Sequence, residues 1–168
     1  LLDQVDPDRR LSGAGRITVG TEDAWLRQRL TGERAIELGN ASRTQLLDVA
    51  SATWSAELLD LVAVPAAALP PVVDSDHRGP AVVDVHPRLA GVGLDGVLGD
   101  SHAALFAHGV RAPGAVKATY GTGSSVMGLT DRPVATDAGV VETLGWRVAG
   151  VTGRAFEGNV LSVGSTLL

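Results

Sequence analysis

Two short stretches of this sequence carry residue types suited to phosphate chemistry. The first is Gly99-Asp100-Ser101-His102-Ala103-Ala104-Leu105-Phe106, an acid placed directly at a helix-like run. The second is Tyr120-Gly121-Thr122-Gly123-Ser124-Ser125, a small-residue turn between two strand-like runs. A carboxylate can accept the proton of a substrate hydroxyl as its oxygen attacks phosphorus, and phosphoryl transfer asks for little else but positioning and charge stabilisation. The backbone N–H groups of Gly121 and Gly123, with the Thr122 hydroxyl, can form a concave nest for a phosphate. Each stretch also has a plainer reading. Asp100 is a natural N-cap for a helix beginning at Ser101, and a hairpin turn needs glycine wherever φ is positive. The turn is not a Walker loop, because no Lys-Ser/Thr pair follows its last glycine.

Other chemistries find less support. His102 and His108 are six positions apart and face different sides of a helix, which argues against a shared metal. No nucleophile elbow of the Gly-x-Ser-x-Gly form surrounds Ser124 or Ser125. Gly91-Val-Gly93-Leu-Asp-Gly96 fits the dinucleotide fingerprint letter by letter, but no strong strand precedes it and no helix opens from it. Asn40-Ala41-Ser42 matches a glycosylation sequon, for which a turn and helix start is the simpler explanation.

The elements that must position these residues follow from pattern and punctuation. Thr21-Glu22-Asp23 starts a helix with acids in its first turn, closed by Thr31-Gly32, with Trp25 and Leu26 expected in the core. Residues 39–44 read as a polar loop feeding a helix over Leu46 to Ala50. A second short helix spans Ser55 to Val62 and is stopped by Pro65. Proline and glycine dominate from Pro65 to Pro87, with short strands expected at Val82-Val83 and over Val92 to Leu98. After the helix at Asp100, ended by Gly109, Ala115–Tyr120 and Ser124–Leu129 form a hairpin. A third strand runs from Val140 to Val151, Thr152-Gly153 forms a tight turn, and a small-residue helix starts at Gly158.

The chain of 168 residues is 45% apolar, enough to build a core. Its net charge of −5 and its 4% aromatic content argue against nucleic acid as a partner. The absence of cysteine, of any bilayer-length apolar run and of a leader-like start leads to the expectation of a cytoplasmic protein without a membrane partner. An apolar start at Leu1 and an uncapped Leu167-Leu168 end suggest an internal piece of a longer protein.

Taken together, five blocks resemble the FGGY carbohydrate kinase family, in the family's order. They are Gly20-Thr-Glu-Asp-Ala-Trp-Leu26, Asn40-Ala-Ser-Arg-Thr44, Leu69-Pro-Pro-Val72, Gly99-Asp-Ser-His-Ala-Ala-Leu-Phe106 and Tyr120-Gly-Thr-Gly-Ser124, with Glu157-Gly158 as a weaker sixth. The resemblance implies an α/β, actin-like (ribonuclease H-like) ATPase fold. Residues 1–109 would be the end of the first kinase domain and residues 115–168 the start of the second. It implies transfer of the γ-phosphate of ATP to a hydroxyl of a small sugar or polyol, such as the ketopentose xylulose or a glycerol-like alcohol. Asp100 falls on the family's catalytic base, and Gly121, Thr122 and Gly123 fall on its second phosphate loop. Asp100 and Ser101 would touch the acceptor, and Asp100 would meet Mg2+ indirectly, through water. The family's first phosphate loop and adenosine pocket are not in this chain, so the chain alone is expected to be inactive. The full-length protein is expected to be able to form a homodimer. The alternative is an actin-like nucleotide-binding or scaffold protein that kept the fold without kinase activity.

Overall fold

The computed structural model describes residues 2–83, 86–120, 124–134 and 139–160. Two short helices, α1 (Leu2–Val5) and α2 (Arg10–Gly13), lead into α3 (Glu22–Thr31). Strand β1 (Ile36–Glu37) runs directly into α4 (Leu38–Arg43), and a small hairpin follows, β2 (Leu47–Asp48) with β3 (Thr53–Trp54). Helix α5 (Ala56–Leu61) and a single 3-10 turn lead to β4 (Val72–Val73), which pairs in parallel with β1. An irregular stretch then delivers the chain to α6 (Asp100–Ala107). The remainder is an antiparallel sheet of β5 (Val116–Tyr120), β6 (Ser124–Leu129), β7 (Val141–Val148) and β8 (Val151–Val160), in the order β5-β6-β8-β7. Among the described residues, no helix is long and apolar enough to cross a membrane.

Two buried clusters hold these elements. Ala24, Ile36, Leu38, Ala41 and Leu47 pack with Leu144 of β7. Leu105 and Val110 pack with Met127, Leu129, Trp146 and Ala155 of the sheet. Phe106 meets Trp146 edge to face at 5.1 Å, an arrangement aromatic quadrupoles favour. Both clusters therefore contain a residue of β7, and that strand joins the helical half to the sheet.

Several local expectations hold. Thr21 precedes α3, Gly32 closes it at φ 76°, and the acids Glu22 and Asp23 sit in its first turn. Ser55 caps α5, its hydroxyl accepting from the Leu58 N–H at 3.3 Å. Gly109 follows α6 at φ 76°, and β5 and β6 form the expected hairpin. The turn Gly121-Thr122-Gly123 that joins them lies outside the described residues.

Other expectations are corrected. Trp25 and Leu26 are not core residues: they are 62% and 48% exposed, while Ala24, Arg27 and Thr31 form the buried face of α3. The loop expected over residues 39–44 is helix α4, because the Glu37 carboxylate accepts the Gly39 and Asn40 N–H groups and caps it. The helix expected over Leu46 to Ala50 is instead the β2–β3 hairpin. Its turn is set by Asp48, whose carboxylate accepts from the Ala50 and Ser51 N–H groups, and by Ala52 at φ 56°. Val82-Val83 and Val92 to Leu98 make no strand, only an isolated bridge from Ala81 to Gly93. The third strand ends at Val148, and the turn is Ala149-Gly150, both at positive φ, rather than Thr152-Gly153. Residues 158–160 continue β8 where a helix was expected. Residues 161–168, where that helix would run on, lie outside the described residues.

Candidate functional site

Asp100 is the first residue of α6, and Gly99 occupies the cap position. The N-cap reading of Asp100 is thereby corrected: its carboxylate is exposed and accepts one bond, from the neighbouring Ser101 N–H at 2.6 Å. A negative charge in this first turn is favourable against the helix dipole. The position is set from behind by His102, two residues on and only 2% exposed. Its Nε2 lies 3.3 Å from the Thr143 hydroxyl of β7. Burial, helped by the nearby Arg43 charge and opposed by Asp100, pushes the imidazole pKa down to about 4. His102 is therefore a neutral spacer between α6 and the sheet. The exposed His108 lies beyond the end of α6.

Helix α4 supplies the second wall. Glu37 is fully buried, and its carboxylate gathers the Gly39 N–H at 2.8 Å, the Asn40 N–H at 2.9 Å, the Asn40 side-chain amide at 3.0 Å and the Ser75 hydroxyl at 2.5 Å. Burial raises its pKa, with Asp23 adding to the rise and the hydrogen bonds opposing it. The product of this network is a fixed Asn40, whose amide oxygen stands close to Gly99. A methyl group on Gly99 would come within 3.1 Å of it. At the rear of α4, Ser42 Oγ bonds the Gly39 and Leu144 carbonyls and accepts the Leu144 N–H. The approach is so close that a Cβ on Gly39 would sit 2.6 Å from the Gly145 carbonyl oxygen and 2.9 Å from His102 Nδ1.

Asn40, Gly99 and Asp100 form a shared rim between two hollows. The larger, of about 530 Å³, runs along α3 past Glu22, Asp23, Leu26 and Arg27 to Leu94, Val97 and Leu98. Arg27 is 1% exposed and is tied to Glu33 at 2.8 Å. The smaller, of about 110 Å³, is closed by Arg43, Ser101, His102 and Met127. Arg43, the last residue of α4, donates from Nη1 to Glu157 of β8 at 2.7 Å. The structure thus brings Asp100 and Ser101 together with Asn40, Arg43 and Met127. Gly121, Thr122 and Gly123 lie outside the described residues, so their distance from Asp100 is not part of this geometry. Among the described residues, no cluster of three or more His, Asp or Glu side chains could hold a metal ion.

Sequence reasoning gave no individual role to Glu37, Asn40, Arg43, His102 or Glu157. Asn40, Arg43, His102 and Glu157 lie inside blocks that carried the family resemblance, and that was the available signal.

Comparison with known proteins agrees with this architecture. Residues 5–107 match the model of the FGGY family of carbohydrate kinases, N-terminal domain. A glycerol kinase of Alkalilimnicola ehrlichii is 39% identical over 171 residues, and one of Francisella tularensis subsp. holarctica is 38% identical over 172. Each alignment takes in 99% of this chain and 34% of the relative, so the chain spans about a third of the length of these proteins. Among solved structures, the Plasmodium falciparum glycerol kinase with ADP superposes with a TM-score of 0.90 at 24% identity, over 99% of this chain and 34% of that one. A xylulose kinase from Rhodospirillum rubrum superposes with a TM-score of 0.76 at 25% identity, over the same shares. The α/β fold is that of the actin-like FGGY kinases, as the sequence led one to expect. With its N-terminal domain pattern matched over more than half its length, the chain belongs to the FGGY family of carbohydrate kinases.

Proposed function

We propose that this chain is the part of an ATP-dependent sugar or polyol kinase that carries the catalytic base, Asp100. The observation that carries the reading is the placing of an exposed carboxylate on the rim shared by two hollows, with Asn40 close against the preceding Gly99 and His102 buried two residues on. The acceptor lies in the larger hollow, with its reacting hydroxyl at Asp100 and Ser101. As the acceptor oxygen bonds to the γ-phosphorus, its proton passes to Asp100 and the bond from phosphorus to the bridging oxygen breaks, releasing ADP. Three carboxylates, of Glu22, Asp23 and Asp100, line this hollow against one buried guanidinium already paired with Glu33. Such a balance favours a neutral polyhydroxy compound over a sugar acid. The ketopentose xylulose and glycerol-like polyols both satisfy it.

Gly121, Thr122 and Gly123 are assigned to the grip on the nucleotide phosphates. The exposed carboxylate of Asp100 would suit Mg2+ held indirectly, through water, as a hard cation that keeps much of its own hydration. When bound, the ion would neutralise charge on the phosphate oxygens. Residues 1–109 are read as the end of the first kinase domain and 115–168 as the start of the second. Supporting this division, the N-terminal domain match ends at residue 107. The experiment is a phosphate-transfer screen of the full-length protein against glycerol, xylulose and other small ketoses and polyols. Turnover with a neutral acceptor, abolished by Asp100→Asn with ADP binding retained, is the expected result. Undiminished turnover in that variant would remove Asp100 from the reaction.

A further inference from the structure

The smaller hollow contains a cation that the reading above does not use. We propose that the Arg43 guanidinium donates hydrogen bonds to the oxygens of the transferring phosphoryl group as it passes to the acceptor beside Asp100. The assignment rests on the kinase reading and deepens it, by naming where the charge of the phosphoryl oxygens is met.

Arg43 ends α4 and closes, with Asp100, Ser101 and Met127, a hollow of about 110 Å³. That is roughly three to four times the volume of a water molecule in the liquid, room for a phosphoryl group rather than a sugar. Nη1 of Arg43 is held at 2.7 Å by Glu157, itself only 7% exposed, so the guanidinium is fixed from the sheet side. A guanidinium has five N–H donors, and this bond is the single hydrogen bond of the Arg43 side chain among the described residues. The side chain is 44% exposed and lines the hollow. A group of this shape binds tetrahedral oxyanions through paired donors.

A phosphoryl group brought against the Asp100 carboxylate meets like charge, and that repulsion has to be offset locally. His102 cannot do so, because it is buried and uncharged near neutral pH. Arg43 lines the same wall and brings a guanidinium, the side chain suited to oxyanions. A purely structural account, in which Arg43 serves to tie α4 to β8 through Glu157, uses one donor and gives the remainder no partner among the described residues.

Two measurements on the full-length kinase separate these accounts. In the first, Arg43→Lys keeps a charge able to pair with Glu157 but loses the planar fork. The expected result is a fall in kcat on the order of 10²-fold, with the KM for the acceptor unchanged and Tm close to that of the parent. Glu157→Gln, which loosens the anchor alone, should lower Tm while costing kcat much less. The second needs no variant: phenylglyoxal labelling of Arg43, followed by peptide mass, in the presence of ADP with and without inorganic phosphate. Phosphate should slow labelling by about tenfold, as expected where a bound oxyanion occupies the fork. Labelling indifferent to phosphate, or Arg43→Lys and Glu157→Gln losing kcat and Tm in parallel, would overturn the assignment. If Asp100→Asn abolishes turnover while Arg43→Lys does not, Arg43 alone is wrong; if Asp100→Asn retains turnover, the kinase reading itself has failed.

Discussion

The two hollows that share Asn40, Gly99 and Asp100 are built from different materials. The larger is walled by α3 and by the irregular chain over Leu94 to Leu98, so one side of it is helix and the other has no regular partner. The smaller is walled by α4, α6 and β6, and Ser42, His102 and the close approach of Gly39 to Gly145 tie α4 and α6 to β7 of the same sheet. Irregular backbone tolerates changes of shape, whereas packed elements hold geometry. On the proposed reading, the contrast places adaptable acceptor recognition on one side of Asp100 and fixed chemistry on the other.

The strongest way to break that contrast is Asp100→Asn, which removes the group both hollows share. Turnover should fall by about 10² to 10⁴-fold, the usual contribution of a general base, while ADP affinity measured by calorimetry stays within the range of the parent. Next in size is the junction behind the smaller hollow. Gly39→Ala places a methyl 2.6 Å from the Gly145 carbonyl, so α4 and β7 must move apart. A loss of roughly 1–3 kcal/mol is expected in chemical denaturation, with kcat falling as Asn40 and His102 shift.

His102 offers a pH test of the same junction. Its folded pKa of about 4 lies below the ordinary 6.5, so the unfolded chain binds more protons between those values. The stability that His102 contributes is complete above pH 6.5 and is lost as pH falls toward 4, by up to about 3 kcal/mol. Glu37 acts with the opposite sign: its raised pKa favours the folded state below 4.5, an advantage lost as pH rises through its folded value. The difference between the parent and His102→Gln, followed by denaturant titration across this window, isolates the histidine; a parent curve parallel to the variant's would contradict its burial as a neutral group. The smallest effect is expected on the other side. Leu26→Trp narrows the larger hollow and should raise the KM for the acceptor by roughly tenfold at most, leaving kcat and the nucleotide KM in place.

How much of this was legible in the residues depends on whether the deciding contact is local. Helix α3, α5 and α6 were readable because their signals, Thr21 and Gly32, Ser55, and Gly109, lie within a turn of the ends they set. The family blocks likewise pointed to Asp100 without any structure. Helix α4 differs from expectation because its cap is the long side chain of Glu37, held by a hydrogen bond from Ser75, a residue 38 positions away. Trp25 and Leu26 were misplaced because a helical spacing names a face without saying which neighbour exists to cover it, and here Ala24 and Arg27 face inward. Arg43 and Glu157 stand 114 positions apart, and their meeting depends on the sheet returning to α4. Nothing in the spacing of either residue announces that.

The measurement that tests the account most directly is a crystal structure of the full-length kinase with its acceptor and a non-transferable ATP analogue. The account predicts the acceptor in the hollow along α3, its reacting hydroxyl within hydrogen-bond distance of Asp100, and the terminal phosphate on the Arg43 side. An acceptor held away from Asp100, or Asp100 facing neither ligand, would contradict it.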